Sequence, residues 1–313
     1  MAKLAIIVPC YNEEAALPSF LSATGKALEA LPESLDVLYF FVNDGSTDGT
    51  LELLREIQGI NVESIHYLSF SRNFGKEAAI FAGLEAAQAV NADYIALMDA
   101  DLQDPPELLL EMWQTIQNPE IDAVAARRVN RGTENLITSA FSRLFYRIMA
   151  QISETPVLSG VRDYRLMTQQ VVASVLELSE VNRFSKGLFT WVGYNTSYIE
   201  YDYTPRVAGE THMSFWERTK YALDAFVDFS EAPLNLAVYT GLLVTGLTIL
   251  AIIVQIFRQA IFHNSVSGWT SMVAIVLLCF GVLLTMLGIV GKYIAKIFTE
   301  SKHRPIYIVK ERK

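Results

Sequence analysis

The sequence predicts an α/β fold, a mainly parallel sheet with helices on both faces, followed by two membrane-spanning helices. Three observations predict it. Short apolar runs alternate with helical stretches over residues 1–126, polar clusters follow four of those runs, and two long uncharged apolar segments lie near the end. Alternating strands and helices are typical of parallel sheets, and about 20 apolar residues are enough to cross a bilayer.

The predicted strands are the short apolar runs, and the predicted helices are the stretches between them. The strands cover residues 4–8, 37–42, 65–69, 94–98 and 123–126, and the helices cover 15–31, 50–57, 76–88 and 107–117. The last helix follows Asp104-Pro105-Pro106-Glu107, a typical helix-initiation signal. Ligands of such sheets bind beyond the carboxyl ends of the strands.

Four polar clusters follow strands, at residues 9–13, 43–48, 71–76 and 99–104. Taken singly, the first two also fit turns and helix caps. Together they predict one nucleotide pocket at a single sheet edge. The chain has neither G-x-G-x-x-G after the first strand nor a P-loop motif. Dinucleotide redox chemistry and phosphate-loop hydrolysis are therefore not supported.

Asp99 and Asp101 are two carboxylates one residue apart at the end of a predicted strand. Such a compact oxygen site suits Mg²⁺ or Mn²⁺ on a diphosphate better than zinc. A solvated turn that opens a helix is the alternative for this pair taken alone.

Charge is unevenly distributed along the 313 residues, whose net charge is −9. Residues 1–126 hold 5 Lys/Arg against 20 Asp/Glu, residues 127–233 hold 12 of each, and residues 234–313 hold 8 against 2. This distribution predicts an acidic catalytic half and a basic end near an anionic surface. It argues against a nucleic-acid partner.

The two predicted spans, residues 234–257 and 269–291, contain no charged residue. A buried hairpin in a soluble core is the alternative. The connector 258–268 has one Arg, whereas seven Lys/Arg follow residue 291. The positive-inside rule therefore places the tail and the N-terminal part in the cytoplasm. Small residues in the spans would permit close helix packing and a homo-oligomer, namely Gly241, Gly246, Gly281 and Gly288.

These patterns divide the chain into a cytoplasmic domain (1–233), a two-helix membrane domain (234–296) and a basic cytoplasmic tail (297–313). Apolar residues at helical spacing near 134–153 and 214–232 predict two interfacial helices in the lipid headgroups. Packing of these helices against the sheet is the alternative. Met1-Ala2-Lys3 leads directly into a strand, so no secretory signal is expected. Cys10 and Cys279 are expected to be packing residues rather than a disulfide or zinc site.

Motifs in this order resemble family 2 inverting glycosyltransferases of the GT-A fold. The motifs are Pro9-x-Tyr11-Asn12-Glu13, Asn43-Asp44-Gly45-Ser46, Ser71-Arg72-Asn73-Phe74-Gly75-Lys76-Glu77 and Asp99-Ala100-Asp101-Leu102-Gln103-Asp104-Pro105-Pro106. Among these enzymes, the chain is most similar to the polyisoprenyl-phosphate glycosyltransferases, which include bactoprenol glucosyltransferases and dolichol-phosphate mannose synthases. The resemblance covers nearly the whole chain.

The resemblance implies a role for each matching residue. The metal ligands for Mg²⁺ or Mn²⁺ would be Asp99, Asp101 and Gln103, and the donor-binding residues Pro9, Tyr11, Glu13, Asp44, Lys76 and Asp99. The catalytic residues would be Asp163, Arg128, Arg131 and Arg206. His212 stands where relatives usually have a phosphate-binding lysine.

The implied reaction moves one sugar from a UDP- or GDP-linked donor to undecaprenyl or dolichyl phosphate at the bilayer, with inversion at the anomeric carbon. A lipid phosphate is already ionised, so the main difficulty is repulsion between two anions. A divalent ion and arginines oppose that repulsion.

Two other functions stay open. A processive polysaccharide synthase usually carries Q-x-x-R-W near its acceptor site, and residues 182–191 do not contain it. An inactive donor-binding scaffold predicts damage to the metal site or Asp163, and both are intact.

Overall fold

The computed structural model describes residues 1–129, 160–202, 232–262 and 268–313. Several predictions lie outside these residues: the helix at 134–153, almost all of that at 214–232, and Arg131, Arg206 and His212. The chain divides into two compact units. The first comprises Met1–Gln151, Thr155–Ala222 and Arg304–Lys313, and the second comprises Ile152–Glu154 and Leu223–His303.

The described part of the first unit alternates strands and helices. In chain order these are β1 (Ala2–Cys10), α1 (Leu17–Leu28), β2 (Leu35–Asn43), α2 (Thr50–Ile60), β3 (Ile65–Phe70), α3 (Lys76–Ala89), β4 (Tyr94–Leu97), α4 (Leu108–Ile116), β5 (Ala123–Arg128), β6 (Val161–Thr168), α5 (Gln169–Glu177), α6 (Ser185–Trp191), β7 (Thr196–Tyr201) and β8 (Val309–Arg312). All five predicted strands and four predicted helices are present. Their ends differ from the prediction by three residues at most.

One sheet takes up the eight strands, in the order β7-β5-β6-β4-β1-β2-β3-β8. β4, β1, β2 and β3 are parallel neighbours, and so are β5 and β7. β6 runs antiparallel between β4 and β5, and β8 runs antiparallel along β3. The predicted α/β class with a mainly parallel sheet is confirmed. Because β1 pairs with β2 on one side and β4 on the other, a crevice is expected at its carboxyl end.

Helices cover both faces of the sheet because β1 is apolar on both sides. Leu4, Ile6 and Val8 join the core on the face of α1 and α4, whereas Ala5 and Ile7 join the core on the face of α3 and α5. α3 lies so close to β1 that a Cβ at Gly83 would stand 2.2 Å from Ile7 Cγ2. This close packing fixes the N-terminal end of α3 beside the carboxyl end of β1.

The antiparallel strand β6 brings a distant part of the chain to the same edge. Its register pairs Arg165 with Leu97. Asp99 lies two residues after Leu97, and Asp163 lies two residues before Arg165. Because the two strands are antiparallel, both aspartates lie at the same edge of the sheet. β5 is antiparallel to β6 and so parallel to β4, which places Arg128 at this edge too. β6, β7 and β8 carry no clear pattern in the sequence and were not among the predicted strands.

The described part of the second unit consists of α7 (Ala232–Phe262) and α8 (Trp269–Ser301), which contact each other. A Cβ at Gly241 would stand 3.4 Å from Met286 Cε. Within the residues described, only Leu278–Ser301 is long and apolar enough to cross a membrane. The predicted first span, 234–257, does not meet this criterion, because the apolar stretch found there, Ala237–Ala251, is shorter. The candidate span therefore ends ten residues beyond the predicted 269–291, because the helix continues through Lys292 and Lys296.

Candidate active site

A cavity of about 270 Å³ opens at the carboxyl ends of β1, β2 and β4. Its lining comprises Pro9, Cys10, Tyr11, Glu13, Asp44, Asn73, Gly75, Lys76, Ala79, Asp99, Ala100 and Asp101. Every predicted donor-binding residue is in this set, as are two of the three predicted metal ligands. The structure thus brings together residues from four separate motifs.

The loop after β1 is tied to the loop after β2 by side-chain hydrogen bonds. Asn12 adopts a left-handed backbone conformation, with φ of 56°. Its N–H donates to Ser46 Oγ at 3.0 Å, and its side-chain oxygen accepts from the N–H of Thr47 at 2.8 Å. The N–H of Glu13 donates to Thr50 Oγ1 at 2.9 Å. Asn12, Ser46 and Thr50 therefore hold the loops that present Tyr11 and Glu13 to the cavity.

Asp44 organises the loop before α3 as well as lining the cavity. Its Oδ1 accepts from the N–H of Phe74 at 2.6 Å, and its Oδ2 accepts from the N–H of Gly75 at 2.8 Å. Burial raises the pKa of the Asp44 carboxyl, and these two hydrogen bonds oppose the increase. At Gly45 (φ 64°), a Cβ would stand 2.3 Å from the main-chain carbon of Arg72, so the close approach of the two loops requires glycine.

The turn after β4 presents two carboxylates to the cavity. Asp101 Oδ1 accepts from the N–H of Gln103 at 3.1 Å, across Leu102, whose φ is 55°. Gln103 Oε1 accepts from Arg162 Nη2 at 3.2 Å. Asp99 and Asp101 thus line the cavity. Gln103, the third predicted metal ligand, is not among the residues that line it.

Behind this turn, Arg162 and Asp104 form an ion pair that the sequence pattern did not indicate. Arg162 Nε lies 3.1 Å from Asp104 Oδ1, and the Asp104 side chain is 4% exposed. The hydroxyl of Tyr201 also donates to Asp104. Burial raises the pKa of the Asp104 carboxyl, although the Arg162 guanidinium lowers it. Strands β6 and β7 therefore anchor the turn that carries the two cavity carboxylates.

Lys76 joins the two sides of the site. Its Nζ lies 2.7 Å from Asp99 Oδ1 and 2.7 Å from Asp163 Oδ2. Lys186, on α6, approaches the other oxygen of Asp163 at 3.9 Å. Burial alone would raise the pKa of Asp163, but Lys186 and Lys76 hold it well below its usual range. Asp163 is therefore a carboxylate at neutral pH.

Of the three predicted catalytic arginines, Arg128 lies among the described residues, and Arg131 and Arg206 lie outside them. Arg128 ends β5, where its N–H donates to the carbonyl of Gly160 at 2.9 Å. Its neighbour Arg127 pairs with Glu200 at 3.1 Å.

Lys186 and Glu77 lie beside Lys76 and Asp163, although the sequence pattern indicated no role for Glu77, the last residue of the third motif, and did not indicate Lys186 at all. Glu77 directly follows Lys76 and accepts a hydrogen bond from the N–H of Ser185 at 2.9 Å. No motif marks a lysine at the start of a short helix more than 100 residues away. The packing of α6 against β6, which carries Asp163, and the hydrogen bond from Ser185 to Glu77 bring it to Asp163.

The chain is similar in sequence to known proteins. Residues 5–176 match the family described as glycosyl transferase family 2. The chain is 37% identical over 314 residues to a bactoprenol glucosyl transferase of Shigella phage SfV, covering 99% of each. It is 36% identical over 311 residues to a prophage bactoprenol glucosyl transferase homolog of Escherichia coli K12, covering 98% of each.

Other similarities are to a bacterial relative and a solved structure. An uncharacterized glycosyltransferase of Bacillus subtilis is 37% identical over 306 residues, covering 98% of this chain and 93% of that one. The solved structure is a mannosyltransferase from Pyrobaculum calidifontis in complex with GDP-Man and Mn²⁺. It is 17% identical, with a TM-score of 0.47, and the match covers 67% of this chain and 58% of that chain.

Proposed function

This chain belongs to glycosyl transferase family 2, and on that basis we propose that it transfers one sugar from a nucleotide-sugar donor to a polyprenyl phosphate. The resemblance inferred from the motifs and the prediction of a transferase are thereby confirmed. One observation carries the choice of acceptor: the chain matches bactoprenol glucosyl transferases over nearly its whole length. Its motif residues also line a single cavity, which supports the donor site.

The donor occupies the cavity at the carboxyl ends of β1, β2 and β4. Pro9, Tyr11, Glu13 and Asp44 line it and are assigned to the base and ribose. Both oxygens of Asp44 accept hydrogen bonds from the Phe74 and Gly75 amides, so Asp44 also acts by holding the loop before α3. The donor is UDP- or GDP-linked.

A divalent cation, Mg²⁺ or Mn²⁺, would be held by Asp99 and Asp101. Both carboxylates line the cavity, and hard oxygen ligands fit such a cation. In the described part of the chain, no group of three or more His, Cys, Asp or Glu side chains is arranged around a common point. The remaining ligands would come from the donor diphosphate, from water and from Gln103, whose oxygen now accepts from Arg162. When bound, the cation would stabilise the negative charge of the departing diphosphate.

The acceptor phosphate oxygen attacks the anomeric carbon while the bond to the nucleoside diphosphate breaks, which inverts the anomeric centre. The nucleophile is already anionic, so no strong base is required. Asp163, ionised and held by Lys76, lies on the acceptor side and orients the groups around the reacting carbon. Arg128, Arg131 and Arg206 stabilise the phosphates of donor and acceptor.

The enzyme works at the cytoplasmic face of the inner membrane. We assign the cytoplasmic domain to residues 1–233, with interfacial helices near 134–153 and 214–232, the membrane helices to 234–296 and the basic tail to 297–313. Leu278–Ser301 supports a membrane-spanning α8, and the matching relatives act on bactoprenol according to their names.

A donor panel tests the function. Purified protein is supplied with undecaprenyl phosphate, Mg²⁺ or Mn²⁺, and radiolabelled UDP-glucose, UDP-N-acetylglucosamine, GDP-mannose or a UDP-linked aminopentose. One donor is expected to give a metal-dependent monoglycosylated lipid. Asp101→Asn and Asp163→Asn should each reduce its formation by about 100-fold or more, since each removes a charge at the reacting centre.

The matched control is Asp36→Asn, an exposed aspartate at the beginning of β2, which should retain wild-type activity. Absence of labelled lipid with every donor, while nucleotide still binds, would refute the lipid acceptor. Full activity of the Asp163 variant would remove that residue from the mechanism.

A further inference from the structure

The two lysines around Asp163 are used differently. Lys76 Nζ lies within 2.8 Å of both oxygens of Asp99 and 2.7 Å from Asp163 Oδ2, so its charge is shared between two carboxylates. Lys186 makes a single ionic contact among the described residues, with Asp163 Oδ1 at 3.9 Å. Lys186 is therefore the less neutralised of the two.

The ammonium of Lys186 also lacks a short partner in the described part of the chain. A distance of 3.9 Å exceeds the ~3.2 Å limit of a good N–H···O hydrogen bond. The side chain is nevertheless only 23% exposed. A largely buried ammonium with three donors is costly unless oxygen atoms complete its coordination. An anionic ligand would supply them.

Two neighbouring arginines already donate hydrogen bonds to main-chain carbonyls. Arg165 donates to the carbonyls of Asp163 and Arg162 at 3.3 and 3.2 Å, and its guanidinium lies 3.9 Å from the Phe189 ring centroid. Arg183 likewise donates to carbonyls at the end of α5. Among the side chains of Arg165, Arg183 and Lys186, only that of Lys186 makes no hydrogen bond or ion pair shorter than 3.9 Å with an oxygen atom of the described residues.

The position of Lys186 is fixed by the residue before it. The N–H of Ser185 donates to Glu77 Oε2 at 2.9 Å, and the Ser185 hydroxyl donates to the same oxygen. Glu77 follows Lys76 in α3, and Ser185 precedes Lys186 in α6, so this contact lies next to both lysines that approach Asp163. This contact holds Lys186 beside Asp163 before any ligand binds, which lowers the cost of ordering it.

We propose that Lys186 binds the phosphate of the acceptor, an inference that rests on the proposed function. A phosphate that approaches the Asp163 carboxylate is repelled by it, and Lys76 is already shared between two carboxylates. Lys186 supplies positive charge at the Asp163 oxygen that Lys76 does not contact. A phosphate bound to Lys186 lies beside Asp163 Oδ1, whereas Lys76 joins Asp163 Oδ2 to Asp99 on the donor side.

Kinetics of Lys186→Gln test this assignment. At saturating donor, the KM for undecaprenyl phosphate is expected to rise by about 10- to 100-fold, since a charge-assisted hydrogen bond is lost. The dissociation constant of the donor nucleotide, measured by titration calorimetry with Mn²⁺, should stay unchanged. Lys186→Arg should recover most of the acceptor affinity. Lys26→Gln, an exposed lysine on α1, is the matched control.

A measurement on the wild-type protein avoids any folding defect of the variants. Lysine acylation is followed by mass spectrometry with farnesyl phosphate, farnesol or UDP present. Farnesyl phosphate should protect Lys186 selectively, farnesol and UDP should not, and labelling of Lys26 should not change. Protection by UDP, or none by farnesyl phosphate, would overturn the assignment.

Failure of this inference is distinguishable from failure of the proposed function. If the wild-type enzyme glycosylates undecaprenyl phosphate but Lys186→Gln keeps the wild-type acceptor KM, Lys186 is not the phosphate ligand. An equal loss of donor and acceptor affinity also overturns it. If the wild-type enzyme forms no lipid product from any donor, the proposed function itself fails.

Discussion

At the scale of single residues, the Asp104–Arg162 pair shows how a buried charge holds a functional turn. Asp104 closes the acidic motif after β4, and its side chain is almost completely buried. Arg162 binds it from β6 and also contacts the side chain of Gln103. The carboxylates of Asp99 and Asp101 therefore stand on a turn whose far end is fixed.

Removal of Arg162 leaves Asp104 as a buried charge without its cationic partner. Arg162→Met is expected to lower the free energy of unfolding by about 3 kcal/mol, the low end of the range for a broken buried pair, because the Arg162 side chain is 24% exposed. Urea unfolding in detergent, followed by tryptophan fluorescence, measures this. The double variant Arg162→Met with Asp104→Asn should be less destabilised than Arg162→Met alone, because the unpaired charge is gone. Equal destabilisation of both variants would show that the pair contributes only through packing.

At the scale of elements, β8 ties the end of the chain to the sheet. The N–H of Tyr67 donates to the carbonyl of Lys313 at 2.9 Å, and the N–H of Ser71 donates to that of Ile308 at 2.9 Å. Arg55 holds Glu311 at 2.6 Å, and the Tyr67 hydroxyl also donates to that carboxylate. The Tyr307 ring stacks on Phe70, with centroids 4.8 Å apart. β8 covers the edge of β3, which would otherwise be open for pairing.

Glu311 should therefore protect the β3–β8 hydrogen bonds. Glu311→Gln is expected to raise the hydrogen-exchange rates of the Tyr67 and Lys313 amides by about two- to fivefold, since exposed ion pairs contribute modestly. Lys310→Gln, an exposed residue of the same strand, should leave them unchanged. Unaltered exchange in the Glu311 variant would assign the stability of β8 to its backbone bonds and Tyr307.

The pH dependence of this contact has a definite sign. Hydrogen bonds from Arg55 and Tyr67 lower the pKa of Glu311 to about 2. The pKa of a glutamate in the unfolded chain is about 4.3. Because the pKa of Glu311 is lower in the folded protein, its carboxylate stabilises the fold at pH values above about 4.3. This stabilisation is lost as the pH falls through the folded-state pKa. The exchange difference between wild type and Glu311→Gln should thus be constant at about pH 5–8 and disappear near pH 2.

At the scale of the whole molecule, chain connectivity restricts membrane topology. Strands β1–β7 precede α7, and β8 follows α8, yet all belong to one sheet. A chain that leaves a sheet and returns to it crosses a bilayer an even number of times. If α8 crosses, as its Leu278–Ser301 segment indicates, a second crossing is required. The proposed function predicts that α7 makes this second crossing.

Cysteine labelling tests this topology. In a background with Cys10→Ser and Cys279→Ser, a membrane-impermeant maleimide should label Asn264→Cys, in the connector between the helices, in intact spheroplasts. Lys310→Cys, exposed on β8, should react only after lysis. Labelling of both before lysis would contradict the cytoplasmic assignment of the sheet, and labelling of neither would contradict the two crossings.

The sequence by itself determined the parallel core of the sheet, the cavity residues and the family. Apolar runs specify strands through local burial, and the polar residues of Pro9–Glu13, Asn43–Asp48 and Asp99–Asp104 follow them directly in the chain. Parallel strands then bring these clusters to one edge regardless of the details of packing. Short-range pattern was enough for this half of the site.

Only the tertiary structure decided the other half. β6, β7 and β8 lack strong periodicity because their burial depends on neighbours far away in the chain. The pairing of β6 with β4 brings Asp163 to Asp99, and the packing of α6 on β6 brings Lys186 to Asp163. Likewise, only the fold shows that Gln103 and Asp104 are bound by Arg162, and that the basic tail ends as a strand of the sheet. Such contacts join residues whose spacing along the chain carries no signal, so pattern alone does not predict them.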